Sequence, residues 1–401
     1  MHVSPITCLR PLPEHVAEFA ALPYDVFTDA EAREYVRKHP TSFLAIDRPE
    51  TSFEEGHDPY APEVYARASE LLRERQLDRT LVRDEKPCFY IYEQSTQSHR
   101  QIGLMGAIAA DDYADNTIRQ HELTLSAKEE DRVRHIEAVR AQTGPVFLAY
   151  PDSEAINVIL NAAMQGEPLY DFCTSDGVRQ RVWRIAREVA VGALSVAFST
   201  IDRAYIADGH HRAAAAVRIC QKRRAEGRQD DPAEEFLGVL FPASQLQILA
   251  YDRVVRDTAG MTEDELLERI EAAGFSVTKA PDDTYRPANK GTFGMYAFGT
   301  WHLLTWGQGT NDLDVAVLQD NVLDPILGIE EPRSDARISF VGNGTKDELE
   351  LLAGDAGMAF ALFPTSIEEL MAISDAGGLM PPKSTWFEPK LLSGLAIRRI
   401  W

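Results

Sequence analysis

Cysteine is scarce in this sequence of 401 residues, and its spacing excludes two kinds of structure. The four cysteines, Cys8, Cys88, Cys173 and Cys220, lie far apart and form no CxxC pair. A disulfide-stapled scaffold and a thiolate zinc site both need cysteines at close, regular spacing. The sequence therefore favours a protein of a reducing compartment.

Basic side chains are outnumbered by acidic ones. Lys plus Arg number 41 and Asp plus Glu number 63, which gives a formal net charge of -22. The field of such a chain repels phosphate backbones and anionic lipid headgroups, so neither nucleic acid nor a membrane is an expected partner. An anionic small molecule would need a local basic pocket.

Long apolar runs are also missing. No stretch approaches the roughly 18 apolar residues that span a bilayer. Near the N-terminus, Pro5, Pro11 and Pro13 stand where a signal peptide needs an apolar core. We therefore expect a cytoplasmic protein, and the sequence leaves open whether it forms a homodimer.

Several common catalytic signatures are absent. The sequence contains neither GxGxxG nor GxSxG, and Lys383-Ser384 follows two prolines where a Walker loop needs glycine. His121-Glu122 is followed by Leu125 at the position of the second histidine of HExxH. Dinucleotide-binding, serine-hydrolase, P-loop and zincin functions are therefore disfavoured.

The remaining pattern is that of a folded protein with mixed elements. Hydrophobic residues make up 44% of the chain, and helix-like and strand-like segments alternate irregularly, which predicts an α+β, or mixed α/β, fold. TSFLAIDRP (41–49) reads as a strand, and the apolar segments at 88–94 and 101–110 read as a hairpin. Three capping boxes are expected at helix starts: Thr28 with Glu31, Ser126 with Glu129, and Thr262 with Glu265.

The pattern of predicted elements changes after Asp257, where short strands flanked by glycine begin. We place a soft domain boundary there. Residues 1–257 would form a core, and residues 258–401 would form a C-terminal α/β lobe that carries the segment MPPKST.

The segment YIADGHHRAAAAVRI (205–219) predicts a strand, a tight turn and a helix. Helix N-termini bind anions through their free N–H groups, and Gly209 permits the backbone to approach such an anion closely. Arg212 can bind a phosphate through two hydrogen bonds. Asp208 can cap the helix or hold a metal ion. The alternative is that Asp208 only caps the helix and His210 and His211 only satisfy buried backbone groups. Adjacent helical residues point about 100° apart, so one histidine should face a ligand and the other should support it.

A second charged group lies in HELTLSAKEEDR (121–132). Lys128 and Arg132 are four residues apart on one predicted helix face and could clamp a phosphate. The alternative is a solvated helix face with many charge pairs. Glu122 stands outside that helix and is either a general base or a surface residue.

The third group is GGLMPPKSTWFEPKLLSGL (377–395). Lys383 and Ser384 follow two stiffening prolines and make a plausible anion contact, and Lys390 follows Pro389 in the same way. The alternative is a rigid loop that packs through its aromatic residues.

These segments together resemble one known family. They are LPYDVF, SFLAIDRPE, HELTLSAKEEDR, PVFLAY, YIADGHHRAAAA, LDVAVLQDNVLDPILGI and MPPKSTWFEPKLLSGL. In this order, and across nearly the whole chain, they resemble the domain-of-unknown-function 1015 family. The DGHHR turn is also similar to that of the free serine kinases, which belong with the ParB partition proteins and sulfiredoxin to one superfamily.

The resemblance implies a ParB/sulfiredoxin-like core and a kinase that uses ATP or ADP with Mg²⁺. Asp208, His210, His211 and Arg212 match the kinase motif, with Gly209 in the same turn. Asp208 and His211 would act in catalysis together with Glu122, our own candidate for the base, and Asp208 would hold the metal.

We add Lys128, Arg132, Lys383 and Ser384 as phosphate contacts from their charge and hydroxyl groups alone. The acceptor would be a small hydroxyl metabolite, with free L-serine the leading candidate. A regulatory protein that binds or hydrolyses nucleotide is the alternative, and a metal-dependent hydrolase built on Asp208, His210 and His211 is a third.

Overall fold

The computed structural model describes residues 1–228, 231–281, 284–309 and 312–400. The chain forms two compact units. The first comprises Met1–Leu246 with Pro389–Trp401, and the second comprises Gln247–Glu388. The division lies at Leu246 rather than after Asp257, and the last segment of the chain belongs to the first unit rather than to the C-terminal lobe.

Strands are numbered along the chain. They are β1 (Val3–Ser4), β2 (Cys8–Pro11), β3 (Leu81–Arg83), β4 (Phe89–Ser95), β5 (Arg100–Ala109), β6 (Ile118–Arg119), β7 (Ala141–Gln142), β8 (Val146–Tyr150), β9 (Tyr170–Cys173), β10 (Arg179–Ile185), β11 (Ala204–Asp208), β12 (Glu235–Pro242), β13 (Gln247–Leu249), β14 (Tyr251–Val255), β15 (Phe275–Lys279), β16 (Thr292–Ala297), β17 (Thr300–Trp306), β18 (Ile338–Gly342), β19 (Met358–Leu362), β20 (Trp386–Glu388) and β21 (Ile397–Arg399).

The α-helices are α1 (Val16–Phe19), α2 (Asp29–Lys38), α3 (Leu44–Asp47), α4 (Pro62–Leu77), α5 (Ala110–Ala114), α6 (Ser126–Val139), α7 (Glu154–Ala163), α8 (Glu188–Ser199), α9 (His210–Ala225), α10 (Glu263–Ala272), α11 (Asp314–Leu318), α12 (Lys346–Ala353) and α13 (Ile367–Asp375). Short 3-10 turns lie at Tyr24–Val26, Pro49–Ser52, Pro232–Glu234 and Ala243–Gln245, and a π-helical turn, Gln319–Leu323, follows α11. In the part of the chain that the structure describes, no helix is long and apolar enough to cross a membrane.

The main sheet of the first unit has the order β6-β11-β8-β12-β5-β4-β10-β9, with β1 paired to β5. The expected hairpin is present as β4 and β5, which pair antiparallel. The segment VFLAY forms β8, and all five of its residues are buried. Such uninterrupted apolar strands belong to a sheet covered on both faces. Near one side of this sheet, β11 pairs parallel with β6 and antiparallel with β8.

The C-terminal segment belongs to the first unit. Its strand β21 pairs with β2 and β7 in a four-stranded sheet of order β3-β2-β21-β7. The Gln94 side chain donates to the carbonyl of Lys390 at 2.8 Å, and the backbone N–H of Leu392 donates to the hydroxyl of Tyr92 at 3.3 Å. Strand pairing and these two bonds fix the position of Lys390.

The second unit contains a six-stranded sheet of order β15-β17-β16-β19-β14-β18 and the pair β13-β20. Its polar centre is the fully buried carboxylate of Asp252. Arg286 donates to both carboxylate oxygens, at 3.1 and 2.8 Å, and the backbone N–H groups of Gly344 and Leu362 donate at 2.9 and 3.0 Å. A buried carboxylate needs such complete bonding, because an unpaired charge in the interior is costly.

The mixed α/β class expected from the sequence is confirmed, and so are two of the three capping boxes. Thr28 accepts from the N–H of Glu31, Thr262 accepts from the N–H of Glu265, and each glutamate bonds back to the N-cap.

The capping box at Ser126 is wrong. The N-cap residue of α6 is Leu125, without a side-chain cap, and Ser126 is already helical. Glu129 instead accepts a hydrogen bond from Thr124 Oγ1 at 3.1 Å. The N–H of Leu125 is bonded to His211 from a distant part of the chain, which the local sequence pattern does not reveal.

The strand expected at TSFLAIDRP is also wrong. Leu44–Asp47 is a short helix, α3, and all four of its residues are buried. A short apolar run that is buried on every side shows neither the period of a strand nor that of a helix, so its pattern cannot separate the two.

Candidate functional site

The DGHHR segment forms the turn that the sequence predicted. Strand β11 ends at Asp208, Gly209 follows with φ of 94°, and α9 begins at His210. This left-handed backbone favours glycine, and a Cβ here would lie 3.0 Å from Nε of Arg212. The absence of a Cβ leaves room for the guanidinium of Arg212 over the turn at the start of α9, and helix N-termini are common anion sites.

Two cations converge on the carboxylate of Asp208. Lys390 Nζ lies 3.3 Å from Oδ2, and Arg212 Nη2 lies 3.8 Å from Oδ1. The side chains of both cations are 11% exposed and that of Asp208 is 26% exposed. Two mostly buried cations therefore lie beside the start of a helix, and they give this acidic protein a local concentration of positive charge.

Arg212 is held between the turn and the start of β8. Its Nη1 donates to the carbonyl of Pro145, directly before that strand. A Cβ on Gly144 would lie 3.3 Å from the same nitrogen. Because β8 runs antiparallel to β11, its first residues lie beside the last residues of β11, and one guanidinium can reach both.

His210 and His211 diverge, as their adjacent helical positions predict. The ring of His210 lies 4.5 Å from the ring of His121, and the two ring planes are perpendicular. His211 instead accepts a hydrogen bond at Nε2 from the backbone N–H of Leu125 at 3.0 Å. That bond makes His211 a support for the start of α6, and its expected catalytic role stays a prediction.

Burial determines the charge of the His121 ring. The residue is 2% exposed, and burial lowers its pKa to about 4, although the nearby carboxylate of Asp208 opposes this shift. A hydrogen bond from the ring to the backbone at Ile206 opposes it too. His121 is therefore neutral at neutral pH.

Glu122 lies beside this histidine pair. Its carboxylate and one ring nitrogen each of His121 and His210 lie within 4.8 Å of one another. Many residues separate Glu122 from Asp208 in sequence, but β6 pairs with β11 (Ile118 opposite Ala204), so the segment after β6 lies close to the turn after β11. The structure thus brings the expected base to the DGHHR turn.

Lys128 and Arg132 line one pocket, and their expected contact with phosphate stays a prediction. Arg132 is buried, stacks on the ring of Tyr24 at 4.1 Å, and pairs with Asp131 at 2.7 Å. Lys128 is exposed, and it lines a pocket of about 290 Å³ with Arg132. Four carboxylates line the same pocket, against three cations that include Arg48: Asp25, Asp29, Glu50 and Asp131. The negative charge of these carboxylates disfavours a phosphate in that pocket. Arg132 also lines a second, small cavity, which it shares with Arg212.

Lys383 and Ser384 belong to the second unit. Ser384 is buried, and its Oγ donates to the carbonyl of Pro381 at 2.6 Å. Lys383 Nζ lies 5.7 Å from the centre of the Tyr251 ring. Their expected contact with phosphate stays a prediction.

Sequence reasoning missed two members of this site. The sequence predicts an anion contact for Lys390 without a partner in the DGHHR turn, and it shows His121 only as half of an incomplete HExxH motif. The available signals were a lysine after proline in an acidic chain and a histidine directly before the expected base. Neither signal predicts an approach to Asp208 or His210, because strand pairing creates both contacts.

The fold and the turn define a mixed α/β protein with a candidate anion site after a strand. The chain belongs to the family described as "Protein of unknown function (DUF1015)", whose model matches residues 3–323. No curated protein matches the sequence.

Three solved structures show a distant likeness. A free serine kinase mutant in complex with ADP is 14% identical, with a TM-score of 0.38, and the match covers 71% of this chain and 87% of that one. SbnI with C-terminal truncation, from Staphylococcus aureus, is 13% identical, with a TM-score of 0.42 and coverage of 73% and 87%. A conserved hypothetical protein from Pyrococcus furiosus is 14% identical, with a TM-score of 0.38 and coverage of 74% and 95%. Scores this low do not establish a shared reaction.

Proposed function

We propose that the protein is a nucleotide-dependent kinase that phosphorylates a small hydroxyl metabolite, with free L-serine as the leading acceptor. The observation that carries the proposal is the convergence of Arg212 and Lys390 at the start of α9, within the same turn region as Glu122. Phosphoryl transfer needs cations and oriented N–H donors around the phosphate and a carboxylate at the acceptor.

The phosphate end of a nucleotide would bind at the turn. The first N–H groups of α9 face it, and Arg212 and Lys390 can move from the carboxylate of Asp208 to the phosphate oxygens over a short distance. ATP or ADP presents such oxygens. Until the nucleotide binds, Asp208 offsets one of the two positive charges and keeps both cations in place.

Magnesium fits one residue of this site. Mg²⁺ prefers oxygen ligands and is commonly held by one or two carboxylates together with substrate phosphates. Asp208 is the partly exposed carboxylate beside the turn. It would hold the ion against the nucleotide, and the ion would supply positive charge to the transferred group.

Glu122 would act on the acceptor. Its carboxylate accepts the proton of the acceptor hydroxyl while that oxygen forms a bond to phosphorus and the bond from phosphorus to the leaving nucleotide oxygen breaks. His121 is neutral and buried, so it does not neutralise the carboxylate. The products are a phosphorylated acceptor and a shortened nucleotide.

Phosphate transfer from labelled nucleotide tests the proposal. The protein is incubated with Mg²⁺ and with ATP, ADP or CTP labelled in the terminal phosphate, with and without L-serine and other small hydroxyl compounds. Label on the hydroxyl compound is the expected result. Release of label only as inorganic phosphate would favour a nucleotide-hydrolysing regulatory protein, and label that stays on the nucleotide would contradict phosphotransfer.

A further inference from the structure

We propose that His121, Glu122 and His210 form a binding site for a divalent transition-metal ion such as Zn²⁺ or Co²⁺. The three side chains can each offer one donor atom, and these atoms lie within 4.8 Å of one another. The site is separate from the expected magnesium position at Asp208, but it shares Glu122 with the proposed acceptor site, so a chain with this ion bound does not use the Glu122 carboxylate as the base.

The fold assembles this trio from two distant segments. Strands β6 and β11 pair in parallel, so the residues that follow each strand emerge at the same edge of the sheet. His121 and Glu122 follow β6, and His210 is the first residue of α9 after β11. His121 and His210 are 2% and 8% exposed, so their positions are set by the surrounding packing.

The donor set selects the kind of metal. Two imidazole nitrogens and one carboxylate suit Zn²⁺, Co²⁺ and related ions, whereas Mg²⁺ prefers oxygen ligands only. Donors bound to one such ion at about 2.1 Å lie roughly 3.4 Å apart, so the side chains need to close by about an ångström. Three protein ligands leave a fourth position open, and the partly buried Glu122 marks the open side of the site.

The surroundings also support a metal site. The His121 ring bonds to the backbone at Ile206, and a hydrogen bond of this kind normally orients a ligating imidazole. The carboxylate of Asp208 also lies close to that ring, although it is shared with Lys390 and Arg212. An incoming cation therefore meets an oriented imidazole and the carboxylate of Glu122.

Metal binding can be measured on the full chain without nucleotide, so the result does not depend on the proposed kinase activity. The protein is treated with chelator, dialysed and titrated with Co²⁺, and binding is followed by visible absorption and calorimetry. We expect one tightly bound ion per chain. Glu122→Gln and His210→Gln should each weaken its affinity at least tenfold, and Mg²⁺ in large excess should not displace it.

His39→Gln is the matched control, because His39 is exposed and lies on another helix end. It should leave Co²⁺ affinity unchanged. Melting curves show whether each variant folds, and Glu122→Gln, which changes no buried ring, keeps the test valid if His210→Gln does not fold. Absence of Co²⁺ binding, or equal affinity in the wild-type protein and in folded Glu122→Gln, would overturn the proposal.

Discussion

At the scale of single residues, the central feature is the pairing of Asp208 with Lys390 and Arg212. Each cation is mostly buried, and each lies within 4 Å of the same carboxylate. A buried charge is costly unless it is paired, so an ion pair can hold cations at a site that later receives an anion. Lys390 is the stronger test of the site, because its contact with Asp208 could not be predicted from the sequence.

Lys390→Ala should weaken nucleotide binding about tenfold, since a charged contact to phosphate contributes roughly 1.5 kcal/mol or more. Lys222→Ala is a matched control, because Lys222 is an exposed lysine of α9 that pairs with Glu137 and its loss changes net charge equally. Equilibrium titration with ADP measures both variants. Equal affinities in the two folded variants would remove Lys390 from the site.

Glu122→Gln should leave ADP affinity within about twofold and lower the rate of phosphate transfer roughly a hundredfold or more. The amide preserves the size of the side chain but cannot accept the proton. Single-turnover transfer from labelled nucleotide measures the rate, and the metal content of the same sample separates loss of a base from loss of a metal ligand. A near-normal rate would place the base elsewhere.

At the scale of elements, Gly209 joins β11 to α9 through a left-handed backbone conformation and lies directly under the side chain of Arg212. Gly209→Ala should lower the free energy of unfolding by about 1 to 2 kcal/mol, because a Cβ is unfavourable at this backbone conformation. It should also weaken ADP binding, since that Cβ would press on Arg212 at 3.0 Å. Chemical denaturation and ADP titration measure the two effects.

Gly166→Ala is the control for that substitution. A Cβ at Gly166 meets no atom within 4 Å. Its unfolding free energy should change by no more than about 0.5 kcal/mol, as for an ordinary surface change. If Gly209→Ala behaved like Gly166→Ala in both measurements, the turn would not depend on its glycine.

Elements with a local signal could be predicted from the sequence, whereas contacts made by strand pairing could not. The β4-β5 hairpin, the strand-turn-helix at Asp208 and the cap at Thr28 each rest on neighbouring residues. The approach of Glu122 to His210 and of Lys390 to Asp208 depends on the pairing of β6 with β11 and of β21 with β2. Residue periodicity within one segment carries no information about such distant partners.

At the scale of the whole molecule, the C-terminal segment completes the first unit. Leu391, Leu392, Leu395, Ile397 and Ile400 are all buried. Each contributes roughly 1.5 to 3 kcal/mol by leaving water, so the loss of several is large beside the roughly 5 to 15 kcal/mol net stability of a typical domain. The segment also carries Lys390, so stability and the candidate site depend on the same residues.

Deletion of residues 389–401 should therefore unfold the first unit, because β2 and β7 lose the strand between them. Near-ultraviolet circular dichroism and limited proteolysis report the loss of packing. Lys390→Ala in the full chain is the control that removes the charge and keeps the strand. A truncated chain with the same melting curve as the full chain would show that the segment is dispensable for folding.

The claim that the turn after β11 receives nucleotide phosphate is tested most directly by calorimetric titration of ADP, with Mg²⁺, into the wild-type protein, Arg212→Ala and Arg218→Ala. Arg218 lies on the same helix and pairs at the surface with Glu129 and Glu130. We predict one ADP per wild-type chain, an affinity roughly 10- to 150-fold weaker in Arg212→Ala, and no more than a twofold change in Arg218→Ala. Failure of the wild-type protein to bind ADP, or an unchanged affinity in folded Arg212→Ala, would contradict the claim.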